Sequence, residues 1–321
     1  MKPVKFSLLV LGLSLVLPES LGQTSSMTTP AHSALIHCVA VSADGKRLAT
    51  ASFDNTAKIW EINPDGSLKE KLILKGHASG VCAVAFSPKD DNLVATAGQD
   101  KTVRLWNTTN GQMKFELKGH ADTVETVAFS PDGSQLASSG ADKTVRLWNV
   151  SEGKELKNLG THDGTVYSVT FSPDGQYLAS AGSGKDNLIK IWNIKELKEA
   201  KQLKGHEQPV TSVVFVDNDV VVSSSMDRSI RLWNINEGKE TKKLGPTVDD
   251  PYFLAWSPIT KRVAVCGYSG SVTIWKLDAD KPVWTTTLRN PSYSIAFGPE
   301  GKAVYTGHNN GAIILTTIEE K

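Results

Sequence analysis

Three cysteines in 321 residues are too few for a disulfide-built scaffold, which carries more of them at short spacings. Cys38, Cys82 and Cys266 each replace an ordinary strand residue and read as small buried hydrophobes. Cys38 and Cys82 fall on comparable strands of adjacent units, so the sequence leaves a bridge between them open. Neither sign of charge is in excess: 35 Lys and Arg stand against 34 Asp and Glu, a formal net charge of +1. A balanced surface supplies no broad field to draw in nucleic acid or an anionic membrane, and neither is expected as a partner. Metal-ligand spacings are missing. Gly182-Ser183-Gly184-Lys185 lacks the leading glycine of a phosphate loop, because Ala179 stands there, and Asp186 replaces the needed hydroxyl. Gly267-Tyr268-Ser269-Gly270-Ser271 lacks the closing glycine of a nucleophile elbow. No cofactor and no metal are expected.

Long apolar runs are also scarce, with one exception near the start. Lys2 and Lys5 precede Phe6 to Leu17, a mostly apolar run broken by Pro18, and Ser20-Leu21-Gly22 supplies small residues at a cleavage site. A membrane span needs about 20 apolar residues, so residues 1–22 are expected to be a signal peptide removed from the mature protein. The expected location is secreted or periplasmic, with no stable membrane insertion after cleavage. No cysteine follows the run to take a lipid. Losing Lys2, Lys5 and Glu19 leaves the charges balanced. Asn107-Thr108-Thr109 and Asn149-Val150-Ser151 match glycosylation acceptors, which matters only in a eukaryotic secretory pathway.

What fills the remainder is one phrase repeated. Its clearest copy runs Gly119-His120, Val127-Ala128-Phe129-Ser130-Pro131-Asp132-Gly133, Leu136-Ala137-Ser138 and Asp142-Lys143-Thr144-Val145-Arg146-Leu147-Trp148. The tryptophan returns at Trp60, Trp106, Trp148, Trp192, Trp233 and Trp275, with Leu315 read as its seventh place. A period of about forty residues marks a repeat architecture. Alternating apolar residues separated by Pro-Asp-Gly turns give short strands, four to a unit. Gly-His near the start of each unit and Trp near its end make the chain resemble the WD40-repeat family. The resemblance covers nearly all of the sequence after residue 30. It implies an all-β fold: a seven-bladed β-propeller of four-stranded blades occupying residues 23–321 as one domain. The seventh unit runs out of chain after three strands. Ser25 to Thr29 stand before His32 as Met113 to Leu117 stand before His120, with Met27 where Phe115 falls. This N-terminal segment is expected to supply the missing strand and close the ring.

Five units carry His, a hydroxyl, Asp and Trp together: His32, Thr50, Asp54, Trp60; His77, Thr96, Asp100, Trp106; His120, Ser138, Asp142, Trp148; His162, Ser180, Asp186, Trp192; and His206, Ser223, Asp227, Trp233. A catalytic triad occurs once in a protein, not five times around a ring. The resemblance implies a structural chain of bonds, Asp to His to hydroxyl to Trp, so no catalytic residues are expected and the protein is not read as an enzyme. Unit six has Val265 in the hydroxyl place and Ser269 in the Asp place. Unit seven has Leu288, Asn309 and Leu315 at the main positions. These two units are expected to lack the polar network and to pack apolar residues instead, with Trp256 in the usual Phe place.

Two positions per unit are expected to reach the top rim. The first breaks the apolar alternation as a β-bulge does: His37, Cys82, Glu125, Tyr167, Thr211, Tyr252 and Tyr293. The second precedes the turn Asp: Phe53, Gln99, Ala141, Lys185, Met226, Tyr268 and His308. Aromatic residues supply rigid contact area. The expected partner-binding set is therefore His37, Phe53, Glu125, Tyr167, Met226, Tyr252, Tyr268, Tyr293 and His308, on a monomeric interaction scaffold that binds a protein or peptide. A small-ligand or glycan-binding propeller is the alternative, and a propeller hydrolase a more distant one.

Overall fold

The computed structural model describes residues 26–185 and 187–319. The expected signal peptide, Ser25 and Asp186 lie outside the described residues. Every regular element among the described residues is a strand, and no helix there is long and apolar enough to cross a membrane. Among the described residues twenty-eight strands form seven antiparallel four-stranded sheets. Blade three is representative: Val124–Phe129, Gln135–Gly140, Thr144–Asn149 and Lys154–Thr161 lie side by side in chain order. Its first turn closes with the Gly133 N–H donating to the Ser130 carbonyl at 2.8 Å, and Gly133 adopts φ +72°. Only glycine takes that conformation without strain. The second strand is buried on both faces and the third in large part, whereas the outermost strand is mostly exposed.

That burial pattern follows from stacking. Each apolar cluster lies between neighbouring blades: Trp148 and Leu136 of blade three pack on Leu105 and Leu117 of blade two. Trp192 packs likewise on blade three, Trp233 on blade four and Trp275 on blade five. Each tryptophan is buried, and truncating one to alanine costs about 3–5 kcal/mol. The seven innermost strands pack in sequence around the axis, and that of blade seven meets that of blade one. The seam between the chain's ends buries Trp60, Leu48, Tyr305, Ile313 and Leu315.

The N-terminal strand closes the ring. Ser26–Pro30 pairs antiparallel with Ala312–Thr317, so blade seven takes three strands from the end of the chain and its outermost from the beginning. Met27 faces Leu315 as Phe115 faces Leu105, in each case one residue before the Trp place, so Met27 takes the place assigned to it by counting from the histidine.

Within blades one, two, three and five the polar quartets are connected as the resemblance implies. In blade three, His120 Nδ1 lies 2.9 Å from Asp142 Oδ2 and Nε2 2.7 Å from Ser138 Oγ, and Trp148 Nε1 donates to that oxygen at 2.8 Å. With Nδ1 donating to the carboxylate, Nε2 accepts the serine hydroxyl proton. His32, His77 and His206 repeat these contacts within 0.2 Å of the same lengths. In blade four, His162 bonds Ser180 at 2.7 Å and Trp192 donates to the same oxygen at 2.8 Å.

Blades six and seven depart from the expectation, because each keeps a polar network with different wiring. In blade six, Trp275 Nε1 donates to Thr273 Oγ1 at 2.8 Å. The carboxylate comes from Asp249, ahead of the innermost strand, and accepts from Ser271 Oγ at 2.6 Å and from the Ser269 backbone N–H. In blade seven the ladder sets Val304 opposite Thr316, as Leu136 lies opposite Trp148, so the Trp place is Thr316 and not Leu315. Leu315 points to the other face and joins the seam with blade one. This one-residue slip moves His308 into the place of Gly140: it pairs with Ser292 as Gly140 pairs with Val124. His308 is fully buried, with Nε2 2.8 Å from Thr306 Oγ1 and Nδ1 donating to the carbonyls of Asn290 at 3.2 Å and Pro291 at 3.1 Å.

Two predictions follow from closure and burial. Deleting residues 23–31 removes a ladder worth on the order of 5 kcal/mol, at about 1 kcal/mol per net hydrogen bond. At about 2–4 °C per kcal/mol for a domain of this size, differential scanning calorimetry should show the melting temperature falling by about 10 °C or more. Burial, reinforced by Lys190, lowers the His162 imidazole to about 4. Burial also lowers His32, His77 and His120 against the pull of their aspartates. An imidazole whose folded pKa lies below its unfolded value of about 6.5 adds stability above that value and loses it as pH falls. Urea unfolding should therefore show stability declining from about pH 7 towards the His162 value of about 4. His162→Gln should remove on the order of 3 kcal/mol of that dependence, and an unchanged slope would show that His162 is not held neutral.

Candidate functional site

One irregularity recurs at the same height in all seven blades. In blade three Val124 pairs with Gly140 and Thr126 with Ser139, which leaves Glu125 outside the ladder. The corresponding register shifts skip His37, Cys82, Tyr167, Thr211, Tyr252 and Tyr293. A bulged residue is freed from pairing and its side chain is re-aimed. Here all seven turn towards the axis and line a single cavity of about 520 Å³ at the mouth of the channel. Phe53, Gln99, Thr123 and Met226 complete its rim.

The lining is lopsided. Tyr252 lies edge-on to Tyr293, with centroids 4.9 Å apart and planes at 66°, and stacks on Tyr268 at 6.3 Å and 25°. Burial first, then the neighbouring tyrosines, raises the Tyr252 and Tyr293 hydroxyls above their ordinary value, so both remain proton donors at neutral pH. On blade one, next to blade seven, His37 stacks on Phe53 at 5.2 Å and 16°, and its Nδ1 donates to the Cys82 carbonyl at 2.8 Å. Glu125 is the one carboxylate of the lining. Burial first, and then Asp122, raises its pKa, while His37 opposes the shift. Burial pushes the Cys82 thiol up, and Glu125 adds to the effect, so it is no ready nucleophile. All three cysteines are buried and unpaired, including Cys38 and Cys82.

The structure brings together seven of the nine residues expected on the rim: His37, Phe53, Glu125, Tyr167, Met226, Tyr252 and Tyr293. Tyr268 stands outside the cavity, 58% exposed, against Tyr252. His308 is not on the rim. It is sealed inside blade seven, because the turn there sits one residue later than counting back from Leu315 suggests. Gly311 has φ +76° and its N–H bonds the His308 carbonyl, as Lys143 at φ +68° bonds Gly140. Blade four is also displaced: the Ser183 N–H bonds the Thr165 carbonyl as Ala141 bonds Thr123, so Ser183 and not Lys185 holds the second rim position. Gln99 and Thr211 were visible in the two rings of positions, but their small or neutral side chains gave no reason to single them out. Thr123 carries no sequence signal of its own.

None of the five His–hydroxyl sets lines the channel cavity. Among the described residues no group of three or more His, Cys, Asp or Glu is placed to hold a metal. The site therefore presents apolar and aromatic surface with a few polar groups and one acid, a composition suited to recognition.

The family model described as WD domain, G-beta repeat matches residues 23–61, 68–107, 111–149, 153–193 and 197–234. These segments cover more than half of the chain and stop before the two blades with rewired networks. THO complex subunit 3 of Arabidopsis thaliana is 46% identical over 82 residues, covering 25% of this chain and 26% of its own. Protein transport protein SEC13 of Chaetomium thermophilum is 41% identical over 86 residues, 26% of this chain and 28% of its own. An uncharacterized WD repeat-containing protein of Synechocystis is 36% identical over 97 residues, 30% and 27% of the two chains. The chain spans little more than a quarter of the length of these curated relatives.

Proposed function

The chain belongs to the WD40-repeat family, and from that premise we propose that it is a non-enzymatic interaction scaffold that holds a protein or peptide at the mouth of its channel. The observation that carries this reading is the convergence of all seven bulge residues on one cavity of about 520 Å³, flanked by exposed Phe53, Met226 and Tyr268. A rigid ring presents these side chains with little ordering cost on binding. One relative is named as a subunit of a complex and another as a protein transport protein, which agrees with a role in assemblies. The repeated His–hydroxyl–Asp sets argue against catalysis, since they are spent inside the blades.

We read residues 1–22 as an export leader, so the scaffold would work in the periplasm or outside the cell as a monomer. Mass spectrometry of the N-terminus of secreted material should find the chain beginning at Gln23. The stacked tyrosines also support a second reading, a glycan or other small ligand lying on their faces. A thermal-shift screen with sugars and metabolites separates the two, since only the second gives shifts with small molecules.

Tyr252→Ala and Tyr293→Ala should each weaken partner capture by about thirtyfold, the effect of losing a hot-spot aromatic worth about 2 kcal/mol. Both side chains are half-buried at the mouth rather than in the seams, so melting temperatures should stay close to wild type. Quantitative affinity capture from the extracellular or periplasmic fraction checks this, and unchanged capture would remove the rim as the binding surface.

A further inference from the structure

Glu125 is anomalous in this molecule. The aspartates of blades one, two, three and five each pair with a histidine, and Glu116, Glu155, Glu199 and Glu240 each meet a lysine or arginine. Glu125 is half-buried in the wall of the cavity and makes no hydrogen bond or ion pair among the described residues. No lysine or arginine lines the cavity. The nearest basic group, His37, is already tied to the Cys82 carbonyl and stacked on Phe53. A carboxylate held in an apolar mouth without a counter-charge is costly unless something supplies one. Tyr167 lines the cavity from the next blade and Tyr252 and Tyr293 from the far side of the ring, and tyrosine faces attract cations.

Resting on the reading of the rim as a peptide site, we propose that the mouth accepts an arginine side chain of the partner, its guanidinium paired with Glu125 and its plane against the tyrosines. Arginine fits better than lysine because its guanidinium is planar and weakly hydrated, bonds a carboxylate through two donors and stacks on aromatic rings. A compact ammonium keeps its water more strongly and would lose more on entering an apolar mouth. The cavity, about 520 Å³, falls in the range of whole-ligand pockets of about 300–1,000 Å³ and holds more than one side chain. Phe53 at 36% exposure, Met226 at 38% and Tyr268 at 58% extend the apolar surface outward, where residues flanking the arginine would lie. The occupant is therefore an arginine carried on a peptide segment.

The same geometry sets the price of error at Glu125. Burial holds its carboxyl above the ordinary carboxylate range, and a bound guanidinium would draw it back. Because Glu125 has no partner to lose, Glu125→Gln should fold and melt at least as well as wild type.

Fluorescence anisotropy with a labelled peptide Gly-Ser-Leu-Ala-Arg-Ala-Leu-Ser-Gly, and with its twin carrying citrulline for arginine, tests the proposal. The arginine peptide should bind at least about tenfold more tightly than the citrulline peptide. Glu125→Gln should abolish the difference with the melting temperature retained, and Tyr252→Ala should weaken both peptides. Equal affinities, a preference that survives Glu125→Gln, or no binding by either peptide at millimolar concentration would each overturn it. Equal affinities that fall together in Tyr252→Ala would sink the arginine preference alone and leave the rim as a peptide site. Tyr252→Ala leaving partner capture unchanged would sink the broader reading.

Discussion

A ladder of five residue pairs, between Ser26–Pro30 and Ala312–Thr317, holds both ends of the chain in one sheet. Every blade buries its apolar face only against its neighbours, so an open array would leave two faces bare. At the seam those faces are Trp60, Leu48, Tyr305 and Ile313, all buried once the ring closes. Closure also fixes the radius of the channel. Seven innermost strands brought to a common height put their bulges on one circle, and the cavity at the mouth is what that circle encloses.

The division of labour between ring and mouth follows from hydrogen bonding. Strand residues are constrained by ladder register and by packing on the next blade. A bulged residue is freed from the ladder, although His37 and Thr211 still bond the backbone of the next blade, so these positions vary more freely than the strand residues. In this chain they hold one acid, one histidine, three tyrosines, a threonine and a cysteine, a mixture unlike the repeated residues of the blades. That contrast is why the mouth, rather than the repeated polar sets, carries the individuality of the protein.

Most of this was legible in the sequence, for identifiable reasons. The Trp period, the Pro-Asp-Gly turns and the broken alternation at Val124-Glu125-Thr126-Val127 gave the blades and the bulges, and the shortfall of one strand at the C-terminus gave the closing segment. The errors gather where anchors are absent. Unit seven has no Gly-His, no turn Asp and no Trp, so its register rested on Leu315, an apolar residue next to the true position at Thr316. Gly311 was the better marker, because the residue after the turn acid is left-handed in several blades: Asn55, Lys101, Lys143, Arg228 and Gly270 share that conformation with it. In unit six the carboxylate moved to Asp249, twenty residues before the position searched, and only folding brings it within 2.6 Å of Ser271.

Those rewired blades also show what the repeated polar set is for. In blade seven His308 reaches the Thr306 hydroxyl from within its own strand, whereas elsewhere the histidine arrives from the preceding loop. In blade six Thr273, two residues before its tryptophan, takes the indole N–H that a serine or threonine of the neighbouring strand accepts elsewhere. What persists through these changes is satisfaction of a buried donor or acceptor, not any residue at any place. Pairing therefore sorts the polar groups of this protein into two kinds. Nearly all of those in the blade interior, with Thr316 Oγ1 an exception, have their partners in the fold and are explained by it. Glu125 sits in the wall of the mouth with no partner in the fold, so the fold does not explain it, and a ligand of opposite charge does.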